Sequence, residues 1–251
     1  MGQIETQKLF INNRNYTFTK YDHELGNSGH LVMAVNKKNP QIKWIVKHEI
    51  ISDIFAEFFF SMIANDLGFS VPECRMGDYK SKLAVYVRYL ENLKRVLRAD
   101  YNDEIYKRMF LMNLFGNDDR EEFYVDENNN VWQLDNSWSF YDEVFIKLIY
   151  HKESFNFDAA QVIEQNKHNR FQYIKNNDFR RAFLSVKARV NGKELAKEVL
   201  QGVCKLDIAK YKIICDEISL FTANEIGESY YDYILEVIRL AKNALNENFT
   251  F

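Results

Sequence analysis

Two carboxylates frame a short polar stretch of this chain: Asp119 in Gly116-Asn117-Asp118-Asp119-Arg120, and Asp135 in Val131-Trp132-Gln133-Leu134-Asp135-Asn136. Phosphoryl transfer needs such a pair, one acid to orient or deprotonate an incoming hydroxyl and one to hold a divalent cation on the phosphates. Asp119 follows a segment ending in apolar Leu114-Phe115, which sets it on a loop at the floor of a cleft. A hairpin expected over 122–125 and 131–134 then delivers Asp135 at a strand end, where a carboxylate can bind Mg²⁺ while phosphates supply other ligands. Taken alone, either acid would more often be a turn or capping residue. Their order and spacing carry the reading.

The other parts of such a site precede them. Gly26-Asn27-Ser28-Gly29 lies between expected strands, where small residues let backbone N–H groups approach anionic oxygen, although an ordinary turn has the same composition. Lys47 ends the apolar run Trp44-Ile45-Val46. An inward lysine there needs an anion, and the other reading is an exposed strand end. Glu57 stands between Ala56 and Phe58-Phe59-Phe60, where it needs either a partner or a solvated side. A Lys47–Glu57 ion pair answers both, and it presents the ammonium to a nucleotide.

The elements that must position these groups follow from periodicity. Strands are expected over 8–11, 16–18, 30–35 and 41–47, and a helix runs from a cap at Ser52 or Asp53 to Leu67 with Gly68 as its stop. Segments 71–76 and 83–89 predict a hairpin around Gly77-Asp78, completing an antiparallel sheet of about five strands with one helix packed on it. A helix follows over 103–115, and 142–251 reads as mostly helical. The fold class is therefore α+β: a β-rich N-lobe over 1–90 and an α-rich C-lobe over 91–251, with a hinge near 90–92.

Composition excludes several alternatives. The 251 residues are 47% hydrophobic and 27% charged, enough for one unit of one or two lobes with a sizeable core. A formal charge of −3, from 33 basic and 36 acidic residues, disfavours nucleic acid as a partner. Cys74, Cys204 and Cys215 show no metal-ligand spacing and, being odd in number, no disulfide framework. The five histidines, including His48 at a strand end, show no ligand spacing either, which argues against a metal hydrolase. Phe58-Phe59-Phe60 reads as core. No Sec-type leader and no run of about 18 apolar residues occurs, so the expected location is the cytoplasm, or outside it by a route without a Sec signal. Lys167, His168, Arg170, Lys175, Arg180, Arg181, Lys187 and Arg189 make a basic stretch that reads either as a solvated face or as a dock for an anionic partner or polyanionic activator.

The stretch from Ile54-Phe55-Ala56-Glu57 through Asn65-Asp66-Leu67-Gly68 to Met76-Gly77-Asp78, with Gly116-Asn117-x-Asp119-Arg120 and Leu134-Asp135-Asn136, resembles the HipA-like kinases, especially their short relatives among secreted bacterial protein kinases. The Asp-Asn pair is also similar to that of type II phosphatidylinositol kinases. The resemblance spans roughly 24–140. It implies a kinase-like fold that uses ATP with Mg²⁺ or Mn²⁺ and acts on a protein serine or threonine. Lys47 would contact the nucleotide phosphates and Glu57 would pair with it. Asp119 would serve as catalytic base and Asp135 as metal ligand. Ser28 and Gly29 would lie in the phosphate loop, with Ser28 a site of autophosphorylation. Members of that family continue Asp-Arg-His-x-x-Asn, the asparagine being a second metal ligand, whereas Arg120 is followed here by Glu121-Glu122-Phe123-Tyr124. With the loop shortened by about three residues, Glu121 falls where that asparagine would be, and a carboxylate is a competent hard-cation ligand. The other expectations are a nucleotide-binding pseudokinase scaffold and a lipid or small-molecule kinase.

Overall fold

A computed structural model describes residues 9–21, 31–48, 51–116, 122–137, 139–140, 179–222 and 226–246. Strands β1 (Tyr16–Lys20), β2 (Val32–Asn36), β3 (Lys43–Lys47), β4 (Cys74–Tyr79) and β5 (Lys82–Arg88) form one antiparallel sheet in the order β1-β2-β3-β5-β4. Between β3 and β4 runs α1 (Ile51–Asp66). A second sheet, β6 (Lys94–Arg95), β7 (Phe123–Val125) and β8 (Val131–Gln133), encloses α2 (Asp103–Leu114) in sequence. Helices α3 (Phe179–Val186), α4 (Gly192–Val203), α5 (Ile208–Thr222) and α6 (Ile226–Asn246) follow. No helix among the described residues is long and apolar enough to cross a membrane.

The strand faces alternate as a two-residue period requires. Met76, Val85 and Val87 face the main core, with α1, α2 and α6, whereas Ala34, Trp44, Val46, Ala84 and Tyr86 line a smaller cluster on the other side, joined by Ile11 and Tyr16. In α1, Phe58, Phe59 and Phe60 are each 0% exposed, so this helix is buried all round, a central post with no solvated face over that turn. Phe59 stacks on Tyr230 of α6 at 4.7 Å and Phe60 meets Phe115 edge-on at 6.3 Å, joining α1 to the helical half of the chain. Each such ring contributes about 1.5–3 kcal/mol by burial.

The end of α1 follows from its sequence. Gly68 adopts φ +82°, its N–H donates to Asn65 O (2.9 Å), and Phe69 N–H donates to Ala64 O (2.9 Å), the paired bonds of a Schellman stop. At the other end the helix begins at Ile51, ahead of the expected cap at Ser52 or Asp53. In α2 the Asn102 side chain accepts from Ile105 N–H at 3.1 Å, a regular N-cap.

Two local expectations are corrected, and one element is new. The β4–β5 turn lies at Lys80-Ser81, both at positive φ (50° and 63°), rather than at Gly77-Asp78. Gly77 sits inside β4 because a Cβ there would come within 2.7 Å of Ile11 Cγ2 and 2.8 Å of Tyr86 Cε2. Within the segment expected as a strand over 8–11, the described residues make a single parallel bridge, Phe10 to Met76, flanked by Ile11 N–H to Met76 O and Met76 N–H to Leu9 O, both 2.8 Å. The two-residue β6 is charged and exposed, and no pattern announces it.

Candidate active site

Lys47, the last residue of β3, points to the main-core side of the sheet. All three of its ammonium protons are used: Nζ donates to Glu57 Oε2 at 2.6 Å, to Asp135 Oδ1 at 2.8 Å and to Ser137 Oγ at 2.8 Å. Its partners come from α1 and from the segment leaving β8, so a strand, a helix and a loop meet on one nitrogen.

Glu57 is 0% exposed, which rules out the solvated placement open to it from sequence. Its charge is met by several donors. Oε2 accepts from Lys47 and from Asn136 N–H (2.9 Å), and Oε1 from Asn136 Nδ2 (3.4 Å). Asn136 is itself held by Gln133 Nε2, which donates to its Oδ1 at 2.5 Å. The Ser137 hydroxyl has one proton, directed to Asp135 Oδ1 (2.7 Å) or Glu57 Oε2 (3.1 Å). A carboxylate withdrawn from water keeps its charge only with such a set of donors.

Asp135 differs. Its side chain is 61% exposed, and its backbone has φ +55°, a left-handed conformation that aspartate tolerates better than most residues. The Lys47 ammonium, helped by hydrogen bonds from Lys47 and Ser137, lowers its carboxyl to about 2 against the opposing effect of burial. For Lys47, burial works to lower the pKa, but the Glu57 and Asp135 carboxylates outweigh it, so the ammonium stays charged well above the usual lysine range. Asp135 is thus an ionised, solvent-facing carboxylate at the rim of a buried polar cluster.

That donor suits a hard cation. No group of three or more His, Cys, Asp or Glu side chains that could hold a metal occurs among the described residues. Mg²⁺ between phosphates does not need one, since one or two protein carboxylates with phosphate and water oxygens complete its octahedron.

The structure therefore brings together Lys47, Glu57 and Asp135 of the residues singled out from sequence. Ser28, Gly29, Asp119 and Glu121 lie outside the described residues. Ser137 and Gln133 were not anticipated, and Asn136 was noted only as part of an Asp-Asn pair. The available signal was the polar run Asp135-Asn136-Ser137 directly after an apolar strand, which no solvated turn residue such as Gly or Pro interrupts. Of the basic stretch, Lys167, His168, Arg170 and Lys175 lie outside the described residues. Arg189 is structural, with Nη2 on Asp103 Oδ1 at 2.7 Å and its guanidinium 4.9 Å from the Tyr106 ring centre.

No family model matches this chain, and no curated protein does. Its fold is similar to a solved one: the crystal structure of a Helicobacter pylori proinflammatory kinase, CtkA, superposes with a TM-score of 0.62 over 94% of this chain and 98% of that chain, at 15% sequence identity. The α+β, two-lobed kinase-like architecture is thereby shown, and at that identity the likeness extends to the fold alone.

Proposed function

We propose that this chain is an ATP-dependent phosphotransferase that delivers the γ-phosphate to a serine or threonine of a protein substrate. One observation carries the reading: a single lysine at a strand end holds both a buried helix acid and an exposed acid at the end of a distant hairpin. That is the arrangement phosphoryl transfer uses to place a cation and a metal-binding carboxylate beside the same phosphates. The kinase-like fold supports it.

In this reading Glu57 fixes the Lys47 ammonium, and Asp135 with Glu121 holds Mg²⁺ or Mn²⁺. Glu121 is assigned by count. With the loop about three residues shorter than Asp-Arg-His-x-x-Asn, Glu121 falls at the position of that asparagine. The bound metal supplies charge neutralisation on the phosphate oxygens. Lys47 supplies the rest from the protein side, by exchanging one of its three present acceptors for a phosphate oxygen. Asp135 is the acceptor it gives up, because that carboxylate is solvent-facing while Glu57 is buried and held by backbone. Asp119 is assigned the incoming hydroxyl, and Ser28 and Gly29 the loop over the phosphates.

A second reading, a nucleotide-binding scaffold without transfer, is favoured by one feature, the lack of the asparagine of Asp-Arg-His-x-x-Asn in Asp119-Arg120-Glu121-Glu122-Phe123-Tyr124. Radiolabelled ATP with Mg²⁺ or Mn²⁺, wild type beside Asp119→Ala, and nucleotide binding measured in parallel, separates the two. Transfer in the wild type only, with binding retained in both, supports the kinase. Binding without transfer under either metal supports the scaffold. Full activity in Asp119→Ala removes that residue from the base role.

A further inference from the structure

The side of the five-stranded sheet turned away from Lys47 carries a cavity of its own, of about 410 Å³, at the end of the strands where β3 finishes and the β4–β5 turn begins. Its walls are apolar and aromatic. Phe18 of β1 lies 5.0 Å from the Tyr79 ring, His48 lies 4.8 Å from the same ring on its own approach, and Val32 of β2 closes one side. The rim is basic. Lys20, Lys80 and Lys82 all line the cavity, and Lys80 Nζ lies 5.2 Å from the Tyr79 ring centre. No acidic side chain lines it among the described residues. His48 Nδ1 is buried there without a hydrogen-bond partner among the described residues. A buried ring nitrogen left unpaired has lost its water without gaining a hydrogen bond, so it calls for an explanation.

Aromatic walls, a cationic rim, one unpaired polar atom and a volume in the range of small-ligand sites describe one class of ligand. We propose that this cavity is a second ligand site, separate from the phosphoryl-transfer cleft, for a small planar organic anion. The ring of the ligand lies against Phe18, Tyr79 and His48, a polar ring substituent meets His48 Nδ1, and its phosphate or carboxylate is held by Lys80 and Lys82. Alternation along β3 keeps the two sites apart, since Lys47 points to one face and His48, the next residue, to the other.

The test uses the full chain and 1-naphthyl phosphate as a fluorescent probe, with 1-naphthol and inorganic phosphate as its two halves. The site predicts saturable binding of the whole probe, at least roughly tenfold tighter than either half, because ring and anion are recognised together. Lys80→Glu in the turn with Lys82→Glu at the exposed start of β5 weakens it by about tenfold or more. In ¹⁵N-histidine-labelled protein the probe shifts the His48 ring resonance, identified by its loss in His48→Gln, which reports the site even where a variant folds poorly. Lys47→Met, on the opposite face of the sheet, leaves probe binding unchanged. The proposal is overturned by no saturable binding, by inorganic phosphate binding as tightly as the probe, by insensitivity to the double charge reversal, or by loss of binding in Lys47→Met, which would put the probe in the transfer cleft.

Discussion

Two buried cations in this molecule are satisfied in opposite ways. Arg108 in α2 is 2% exposed, and its partners are near and fixed: Nε and Nη2 donate to Glu104 Oε1 one turn earlier (3.2 and 3.0 Å), Nη1 to the Ser70 carbonyl (2.8 Å), and Phe69 lies 5.0 Å below the guanidinium. Lys47 is 18% exposed, and its acids lie 10 and 88 residues away, one of them buried and the other facing water from a left-handed backbone position. Arg108 has one arrangement that satisfies it, and that arrangement ties α2 to the loop after α1. Lys47 has two bonds to groups that the fold buries, Glu57 and Ser137, and one to a solvent-facing carboxylate, Asp135, which the proposed phosphate would replace. Burial of a charge alone does not separate the two cations; in the proposed reading an exchangeable partner does.

The largest effect expected from that difference is on transfer. Lys47→Met lowers phosphotransfer by roughly 100- to 1,000-fold, the cost of losing one preorganised electrostatic group, whereas Arg108→Met stays within about threefold of wild type below its melting temperature. Initial rates at matched folded fraction, checked by circular dichroism, decide it. An Arg108 variant that folds yet loses transfer as heavily would erase the distinction. Stability sharpens the same comparison from the acid side. Glu57→Gln removes the charge of a carboxylate that is 0% exposed and accepts from Lys47, Asn136 and Ser137, and costs about 3 kcal/mol, while Glu104→Gln, at a side chain that is 42% exposed and whose amide oxygen still accepts from Arg108, costs about 1 kcal/mol in urea denaturation. Equal costs would mean that the Lys47–Glu57 pair is no more than a surface pair in a crowded place.

The sequence carried the pieces of this comparison unevenly. Gly68 was legible because a positive-φ stop at the end of an apolar period is a local property. Glu57 could be paired with Lys47 because a lone acid in an apolar helix and a lone cation at an apolar strand end are both unsatisfied until they meet. Arg108 was not legible, since Glu104 four residues earlier makes it look like one half of an exposed helix pair. Its burial comes from Phe69 and Ser70, which no spacing announces. The β4–β5 turn was misplaced for a related reason. Glycine usually marks a turn, but Gly77 is small to admit Ile11 and Tyr86, and the turn instead uses two side-chain-bearing residues at positive φ. Ser137 gained its place only when the loop after β8 closed on β3.

The smallest effect is the most specific to the exchangeable bond. With Lys47 beside it, Asp135 has its carboxyl held at about 2, below its ordinary value of 3.8, so the unfolded chain takes up its proton first as pH falls. Its contribution to stability is therefore complete above about pH 5 and disappears as pH drops through 4 towards 2. A shift of that size would be worth up to about 2.5 kcal/mol for a shielded group, but a side chain that is 61% exposed is screened by solvent, which leaves roughly 1 kcal/mol. Asp126 is also lowered to about 2, by hydrogen bonds from Asn130 and Trp132, and it steepens the acid limb in every variant alike. The informative quantity is thus the difference between proteins. Asp135→Asn should flatten the limb between pH 5 and 2 by about 1 kcal/mol in the wild-type background and by much less in a Lys47→Met background, where comparing Lys47→Met with the double variant cancels the loss of the Glu57 and Ser137 bonds common to both. Additive flattening would mean that Asp135 owes its low pKa to something other than Lys47, and the lysine would then have no partner to exchange.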